Sequence, residues 1–384
     1  MEFEFATAQR IVFGNGRLQE LPTIINGMGQ RAAFITGSNA ERIMPVFKIL
    51  KNCGASPAAF SISGEPTTER IAELARQARN QNCDFVVAFG GGSVIDTGKA
   101  IAALLTNTND LMDYLEVIGK GEPLTEEPAP CIAIPTTAGT GAEVTRNAVL
   151  LSPEHKVKVS MRHPGMLPTV ALVDPELTIS MPPEVTASTG LDAFIQLLEA
   201  FVSAKATPLT DGICREGLKK AARALPRAYA HGNDPAAREE MAAASLFGGL
   251  ALANAGLGAV HGFAGPIGGM FEAPHGMVCA ALLAAVFKTN IQALEERAAE
   301  NPALGKYHEA AQIITGIPNA KLTDALLWIK ELCTQMSVPG LADLGVAESD
   351  IPDIVEKAQH ASSMKGNPVR LTEAELADIL RNSL

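Results

Sequence analysis

Residues 173–203 read VDPELTISMPPEVTASTGLDAFIQLLEAFVS, and the character of the chain changes within this stretch. The adjacent prolines predict a turn, and residues 186–190 supply capping groups for a helix that follows. Its apolar side chains recur at helical spacing, at Leu191, Phe194, Leu197, Leu198 and Phe201. Asp192 and Gln196 lie four residues apart on one face of this helix. Because an unpaired carboxylate among apolar neighbours is costly, we infer that Asp192 has a partner, a divalent metal.

Upstream of this stretch, apolar runs of strand length alternate with segments of helical period. The predicted strands lie at residues 10–13, 31–36, 58–62, 84–89, 130–134 and 169–174. The predicted helices lie at residues 17–25, 42–53 and 68–81. The alternation is typical of βαβ units, so it predicts a Rossmann-like α/β domain with a parallel sheet. After Val149 the chain runs through Lys156 and Lys158 into a stretch, up to Pro168, that is expected to be irregular.

Downstream, nearly every segment is rich in Ala and Leu and has a helical period. Helices are predicted at residues 206–228, 236–255, 282–299, 306–315, 321–336, 351–362 and 372–382. The change of composition places a domain boundary near Met181. We therefore expect an α/β nucleotide-binding domain over residues 1–181 and an all-helical domain over residues 182–384.

The composition limits the classes of function. A chain of 384 residues with 47% hydrophobic and 19% charged residues is long and apolar enough for two folded domains. Its net charge of −11 argues against nucleic acid or an anionic membrane as the main partner. The six cysteines are scattered without a CxxC pair, which is typical of reduced intracellular thiols. The N-terminus lacks a signal-peptide layout, and no unbroken apolar stretch approaches ~20 residues, so we expect a cytoplasmic protein with no membrane span.

Two loops at predicted strand ends indicate a ligand. Residues 90–93, GGGS, let the backbone approach a ligand closely, and the helix after them offers N–H groups suited to a diphosphate. A tight turn without a ligand explains these glycines equally well. The strand at 130–134 is followed by PTTAGTGAEVT, whose hydroxyl and N–H groups lie at the carboxyl end of a strand, where ligands bind in open α/β sheets. Two such loops predict one nucleotide site between them.

Residues 257–277, LGAVHGFAGPIGGMFEAPHGM, contain two histidines. His261 is expected to end an Ala-rich helix, and His275 follows a predicted break that contains Gly-Pro and Gly-Gly pairs. On one straight helix the two would be about 21 Å apart, too far to share an ion. A reversal at the break would let both imidazoles converge with Asp192 in a three-ligand site with an open position, as catalytic zinc uses. The alternative is that each histidine is a hydrogen-bonded residue at a helix end.

Four ordered motifs carry a resemblance to a known family: AFGGGSVIDTGKA, IPTTAGTGAEVT, VDPELT…PP…TGLDAF and VHGFAGPIGGMFEAPHG. They resemble the iron-containing (group III) alcohol dehydrogenases, over nearly the whole chain from FGNG to NPVRLTEAEL. The resemblance implies an N-terminal α/β nucleotide domain and a C-terminal helical domain of the dehydroquinate synthase-like kind. It also implies reversible hydride transfer between an alcohol and NAD(P), with a divalent metal, Fe or Zn, polarising the substrate oxygen.

The resemblance assigns residues as well. It implies that the cofactor diphosphate is held by Gly90, Gly91, Gly92 and Ser93, and it counts Asp96 among the cofactor-binding residues. The adenosine and nicotinamide pockets would be lined by Thr136, Thr137, Thr140, Lys158 and Leu177. The metal would bind Asp192, His261 and His275, with Gln196 as a candidate fourth ligand.

The chain departs from the family pattern at three places. Iron-dependent members carry His where Gln196 stands, and an amide oxygen is a weaker and harder ligand, while glycerol dehydrogenase-like members use zinc with one Asp and two His. Many members carry a second His where Gly265 stands, so no side chain is assigned as general acid or base. Gly37 and Ser38 stand where NAD-preferring members have Asp, which slightly favours NADP.

Other interpretations stay open. A metal-independent reductase of the maleylacetate reductase kind, or a lyase in the manner of dehydroquinate synthase, would keep the fold and change the chemistry. A catalytically inactive nucleotide-binding homologue would explain Gln196 and Gly265. The expected substrate is a small alcohol or aldehyde, with Asn147, Phe263 and Met270 as candidates for its pocket. A homodimer is expected, with no nucleic-acid or membrane partner.

Overall fold

The computed structural model describes residues 2–384. Its strands are β1 (Arg10–Phe13), β2 (Ala32–Thr36), β3 (Ala58–Ser61), β4 (Phe85–Gly90), β5 (Cys131–Pro135), β6 (Asn147–Ser152), β7 (Val157–Arg162) and β8 (Val170–Val173). Its helices are α1 (Leu21–Ile25), α2 (Ala40–Asn52), α3 (Thr68–Asn80), α4 (Gly92–Thr106), α5 (Leu111–Tyr114), α6 (Pro183–Val202), α7 (Pro208–Ala230), α8 (Pro235–Ala255), α9 (Ala259–Met270), α10 (His275–Arg297), α11 (Pro302–Thr315), α12 (Leu322–Gln335), α13 (Ile351–His360) and α14 (Glu373–Arg381).

The chain forms two compact units. The α/β unit comprises Ala6–Thr137 and Gly141–Thr178. The helical unit comprises Ile179–Leu384, together with Ala138–Thr140 and the N-terminal residues up to Phe5. Residues 138–140 join the helices because the Ser245 hydroxyl donates a 3.1 Å hydrogen bond to the Gly139 carbonyl.

The α/β unit is built on a six-stranded sheet in the order β1-β8-β5-β4-β2-β3, and every pair in it is parallel. The predicted fold class, a parallel-sheet α/β domain followed by a helical domain, is confirmed. The direction of the strand order reverses between β2 and β4, because β3 lies on one side of β2 and β4 on the other. Ligands of open α/β sheets bind at such a switch point, outside the carboxyl ends of the strands.

Helix α4 lies unusually close to the sheet. A Cβ built on Gly98 would come within 2.5 Å of the Ala88 Cβ on β4, so only glycine permits this approach. At the next residue of α4, the buried Lys99 ammonium donates 2.9 Å hydrogen bonds to the Ala142 carbonyl and the Thr145 hydroxyl. The middle of α4 and the loop after β5 are therefore held together by one side chain.

The expectation of an irregular chain up to Pro168 is wrong. Strands β6 and β7 form an antiparallel hairpin, with Leu150 opposite Val159. Both side chains are buried in a cluster with residues of α3 and α4. The alternation in VKVSMR was the local signal, but an isolated hairpin is marginal, and this one depends on packing against helices.

Helix α6 begins at Pro183, one turn before the residues that were expected to cap it. Proline is favoured at the first helical position because its missing N–H would have no partner there. Further along, α6 passes through the core of the helical unit, where Phe194, Leu197 and Phe201 are fully buried.

Two expectations about the histidine region are also corrected. Helix α8 ends at Ala255, and α9 begins after a bend of 97°, so His261 lies in the first turn of a new helix and does not end the old one. The Gly-Pro and Gly-Gly pairs lie inside α9, and the break before His275 consists of residues 271–274. Gly256 allows the bend because it takes a φ of 67°.

Two helices are long and apolar enough to cross a membrane by length and composition, α6 and α10, or three spans if the bent pair α8 and α9 counts as one. Both helices contain glycine, polar and charged residues, so neither is an unbroken apolar stretch. In the most apolar 18-residue segment of each helix, 83% of the α6 residues and 61% of the α10 residues are buried inside the protein. Their apolar character is used for packing the helical core.

Candidate metal centre and nucleotide loops

Helix α6 presents three buried side chains that carry a carboxylate or an amide, Asp192, Gln196 and Glu199. Their spacing of four and three residues places them on one face of the helix. Buried polar groups need hydrogen-bond or metal partners, so a polar site is expected along this face of α6.

Glu199 organises the start of α9. Its carboxylate accepts a 2.7 Å hydrogen bond from the Val260 N–H and pairs with His261 Nδ1 at 2.7 Å. The side chain of Asn367 accepts a further bond from the Ala259 N–H at 3.1 Å. An anionic partner at Nδ1 favours the proton there, so Nε2 of His261 is the ring nitrogen available to a metal.

The other imidazole arrives from α10. His275 is the first residue of α10, and its Nε2 lies 3.7 Å from the Asp192 Oδ1. His261 Nε2 lies 3.1 Å from the same oxygen. A Cβ on Gly276 would come within 1.9 Å of the Ser188 carbonyl oxygen, so glycine lets the start of α10 approach α6. The structure thus brings together Asp192, His261 and His275 as the sequence predicts.

Cys279 and Glu199 belong to this site and were missed in the sequence. The Cys279 Sγ lies 3.7 Å from His275 Nε2. The potential ligand atoms of Asp192, His261, His275 and Cys279 all lie within 4.8 Å of one another. The signals were present, since Cys279 follows His275 by four residues and Glu199 follows Asp192 by seven, both helical spacings that place side chains on one face.

The donor set fits a divalent metal. Carboxylate oxygen, imidazole nitrogen and thiolate sulfur all bind zinc-like ions at about 2.0–2.3 Å, so ligands around one ion lie less than about 5 Å apart. Gln196 Nε2 donates to Asp192 Oδ2 at 3.0 Å. Its Oε1 is buried without a hydrogen-bond partner among residues 2–384, an unsatisfied acceptor next to this cluster.

The charges of the cluster support one another. Burial alone raises the pKa of Asp192, but His261 and His275 outweigh it and hold that pKa below its usual value. Burial lowers the pKa of His261, but Cys279, Asp192 and Glu199 raise it well above 6.5. The site therefore favours anionic oxygen and sulfur next to positive charge, the balance that a bound cation would also provide.

The two predicted nucleotide loops are adjacent in the α/β unit. Gly90 and Pro135 are neighbours in the sheet, and the Thr136 N–H donates to the Gly90 carbonyl at 2.9 Å. A Cβ on Gly91 would lie 3.4 Å from the Thr137 side chain. Helix α4 begins directly after Gly91, and no side chain of the described residues caps it. Its N–H groups are thus directed to the switch point.

The remaining predicted cofactor residues have varied surroundings. The Asp96 carboxylate binds the Lys99 ammonium at 2.8 Å and the Val149 N–H at 3.0 Å. Lys158 on β7 pairs with Glu65 at 3.0 Å. Gly37 directly follows β2 at the switch point, Thr140 is exposed, and the Leu177 carbonyl accepts a 2.5 Å hydrogen bond from Arg42.

The three residues predicted for the substrate pocket differ in their burial. Phe263 is fully buried in the helical core, whereas Asn147 and Met270 are partly exposed. A Cβ on Gly265 would meet no described atom within 4 Å, so the position of the missing histidine is open space.

Comparison with known proteins covers both halves of the chain. Residues 8–175 match the family model of iron-containing alcohol dehydrogenase, and residues 186–384 match the C-terminal model of the Fe-containing alcohol dehydrogenase family. The chain is 35% identical over 363 residues to a 1,3-propanediol dehydrogenase of Klebsiella pneumoniae, covering 92% of each. It is 33% identical over 384 residues to an NAD-dependent methanol dehydrogenase of Bacillus methanolicus, covering 97% of each. A solved 1,3-propanediol oxidoreductase is similar with a TM-score of 0.92 and 32% identity over 100% of both chains.

These likenesses, together with the fold, define the class as oxidoreductases that act on CH–OH groups with a nicotinamide dinucleotide and a divalent metal. The chain belongs to the iron-containing alcohol dehydrogenase family. The predicted family and the predicted enzyme class, an alcohol dehydrogenase, are therefore confirmed.

Proposed function

We propose that this chain interconverts a small alcohol and its aldehyde or ketone with NAD(P)(H), with a slight preference for NADP(H), using one divalent metal, Zn or Fe. The metal would be held by Asp192, His261 and His275, with Gln196 as a candidate fourth ligand. The observation that carries the proposal is the convergence of both Nε2 atoms on Asp192 Oδ1, at 3.1 and 3.7 Å. A divalent ion held there would polarise the substrate oxygen.

The protein's own groups have defined tasks in this proposal. Glu199 orients His261 through Nδ1, and the Gln196 amide orients Asp192. Asp192 supplies a negative charge that is already desolvated, so little reorganisation accompanies the binding of a cation. Gly265 has no side chain to move a proton, so we assign proton exchange to water rather than to a residue.

We assign the cofactor to the carboxyl edge of the sheet in the domain of residues 1–181, and the metal and substrate to residues 182–384. The start of α4 would hold the diphosphate through Gly90, Gly91, Gly92 and Ser93. Asp96, Thr136, Thr137, Thr140, Lys158 and Leu177 are assigned to the rest of the cofactor site. The adjacency of the loops after β4 and β5 supports this assignment.

The preference for NADP rests on the loop after β2. Residues 37–39, GSN, contain no carboxylate that would repel a 2′-phosphate, and Arg42 in the first turn of α2 adds positive charge. Gly37→Asp should lower the ratio of kcat/KM for NADPH over NADH about 10- to 100-fold, because a like charge beside the phosphate costs energy. Asn52→Asp, which adds the same charge at the far end of α2, should leave the ratio unchanged. An unchanged ratio in Gly37→Asp contradicts the assignment.

The first experiment measures metal content of the purified protein, with NADPH and NADH oxidation on a panel of aldehydes, with and without a chelator. Stoichiometric zinc or iron, and activity that chelation removes and metal restores, are the expected results. Full activity without metal would instead favour the metal-independent reductase. Cofactor binding without any turnover would favour an inactive homologue.

We also propose that the protein acts in the cytoplasm as a homodimer, without nucleic-acid or membrane partners. The net charge of −11 supports the absence of nucleic-acid and anionic-membrane partners, and the scattered cysteines support the cytoplasm.

A further inference from the structure

Cys279 lies where a metal ligand would be expected. It follows His275 by one turn of α10, so both side chains leave the same face of the helix. Its Sγ lies within 4.8 Å of the ligand atoms of Asp192, His261 and His275, and the side chain is fully buried. Within residues 2–384, no other cysteine belongs to a group of His, Cys, Asp and Glu that could hold an ion.

Gln196 is hydrogen-bonded to the ligand Asp192 and presents an N–H group, not a ligand atom, to this carboxylate. Its Nε2 donates to Asp192 Oδ2 at 3.0 Å, and an N–H donor does not coordinate a cation. Its Oε1 lies 3.7 Å from the position of a Cβ on Gly248 of α8. The amide therefore presents its nitrogen to the carboxylate ligand, which is the way outer partners orient ligands in metal sites.

We propose that Cys279 binds the divalent metal as a thiolate, completing an Asp–His–His–Cys ligand set in which Gln196 positions Asp192. This inference rests on the metal site of the proposed function and deepens it by putting Cys279 in place of Gln196 as the fourth ligand. On binding, a sulfur–metal bond forms, the S–H bond breaks, and the proton passes to solvent without any change of oxidation state. A sulfur ligand makes the set softer and favours zinc over harder ions such as magnesium or manganese.

The test follows the sulfur–metal bond by spectroscopy. Metal-free full-length protein is titrated with Co²⁺ without oxygen, and absorption is recorded. We expect visible d–d bands that reach one equivalent, together with a near-ultraviolet thiolate-to-cobalt charge-transfer band. Cys279→Ser should lose the charge-transfer band, and its cobalt affinity should fall by at least about 10- to 100-fold, the range seen for losing even an outer partner.

Two further variants serve as controls. The Cys333 Sγ contacts the Ala280 carbonyl of α10 at 3.8 Å, so Cys333→Ala removes a neighbouring thiol and should keep both spectral features. Gln196→Ala should keep the charge-transfer band, because the sulfur remains. The zinc form of the unaltered protein, which needs no variant to fold, should show one sulfur at about 2.3 Å in X-ray absorption.

The outcomes separate this inference from the proposed function. Cobalt d–d bands without a charge-transfer band, or a band that survives in Cys279→Ser, would overturn the thiolate and leave the metal site standing. No binding of cobalt or zinc by the unaltered protein would overturn both. A charge-transfer band in the unaltered protein that disappears only with Cys279 supports both.

Discussion

His261 is held at both ring nitrogens by carboxylates of the same helix. Glu199 lies 2.7 Å from Nδ1, and Asp192 lies 3.1 Å from Nε2. Because α6 supplies both partners, the ring orientation is set by one rigid element rather than by a loop. Such outer carboxylates fix the tautomer of a ligand histidine and raise its basicity.

Glu199→Gln should therefore weaken zinc binding about 10- to 100-fold, because a neutral amide no longer holds the Nδ1 proton. The dissociation constant is measured by competition with a chromogenic chelator. Glu295→Gln, an exposed change on α10, is the matched control and should bind zinc as the unaltered protein does. Equal affinities for the two variants would contradict the role of Glu199.

Glu143, in the loop after β5, is a buried acid of a different kind. Burial raises its pKa to about 7 from 4.5, against the lowering effects of its own backbone N–H and the charge on Lys99. The folded state therefore binds this proton more tightly than the unfolded state. The contribution of Glu143 to stability is fully present below about pH 4.5 and is lost as the pH rises to about 7.

Glu143→Gln should abolish this pH dependence. The variant should gain stability relative to the unaltered protein as the pH rises from 5 to 8, by about 1–3 kcal/mol. Urea unfolding midpoints at both pH values measure the difference. Glu154→Gln, an exposed change in the turn between β6 and β7, should show no such gain. A difference that does not vary with pH would count against a protonated Glu143.

At the scale of elements, the metal centre depends on how three helices meet. The first turn of α9 is hydrogen-bonded to Glu199 of α6, and the first turn of α10 packs against Ser188 of the same helix. Each imidazole lies in the first turn of its helix, so a small displacement of either helix start moves a ligand directly.

Gly276→Ala should disturb this junction, since its Cβ would come within 1.9 Å of the Ser188 carbonyl. We expect a loss of about 1–3 kcal/mol in stability, as for overpacked sites, and weaker zinc binding. Gly305→Ala in α11 is the control, because its Cβ would meet no described atom within 4 Å. Alanine there should stabilise the helix by up to about 1 kcal/mol. Unchanged zinc affinity in Gly276→Ala would show that the helix starts tolerate displacement.

At the scale of the whole molecule, the sheet ends in β1 on one side and β3 on the other. A strand at a sheet edge has main-chain groups free to pair with another chain. If the expected homodimer forms by strand pairing, we predict that a second copy pairs with β1, the N-terminal strand.

Light scattering of the purified protein should then give twice the 40.2 kDa of one chain. Ile11→Pro would remove a main-chain donor on the open side of β1, because the Arg10 and Gly14 N–H groups on either side of it donate towards β8. It should shift the mass towards one chain. The change Ala59→Pro in β3, at the opposite edge, is the control for damage to an edge strand. A monomer at all concentrations would contradict the dimer.

Local pattern determined the elements of this protein. The period-2 and period-3.6 runs predicted the sheet strands and the helical second half, because each run reports which face of its own segment is buried. The four motifs also predicted the family, since residues at strand ends and on one helix face are read directly from the sequence.

Tertiary structure decided what depends on residues far apart in the chain. His261 and Glu199, which pair in the helical unit, are 62 residues apart, and Cys131 and Thr169, which are hydrogen-bonded in the α/β unit, are 38 residues apart. The β6–β7 hairpin, the helix bends that place both histidines, and the roles of Glu199, Gln196 and Cys279 all follow from such contacts. Local spacing places Glu199 and Cys279 on the same helix faces as Asp192 and His275, but it does not report which faces meet, because the energy that selects the meeting arises only when separate elements pack together.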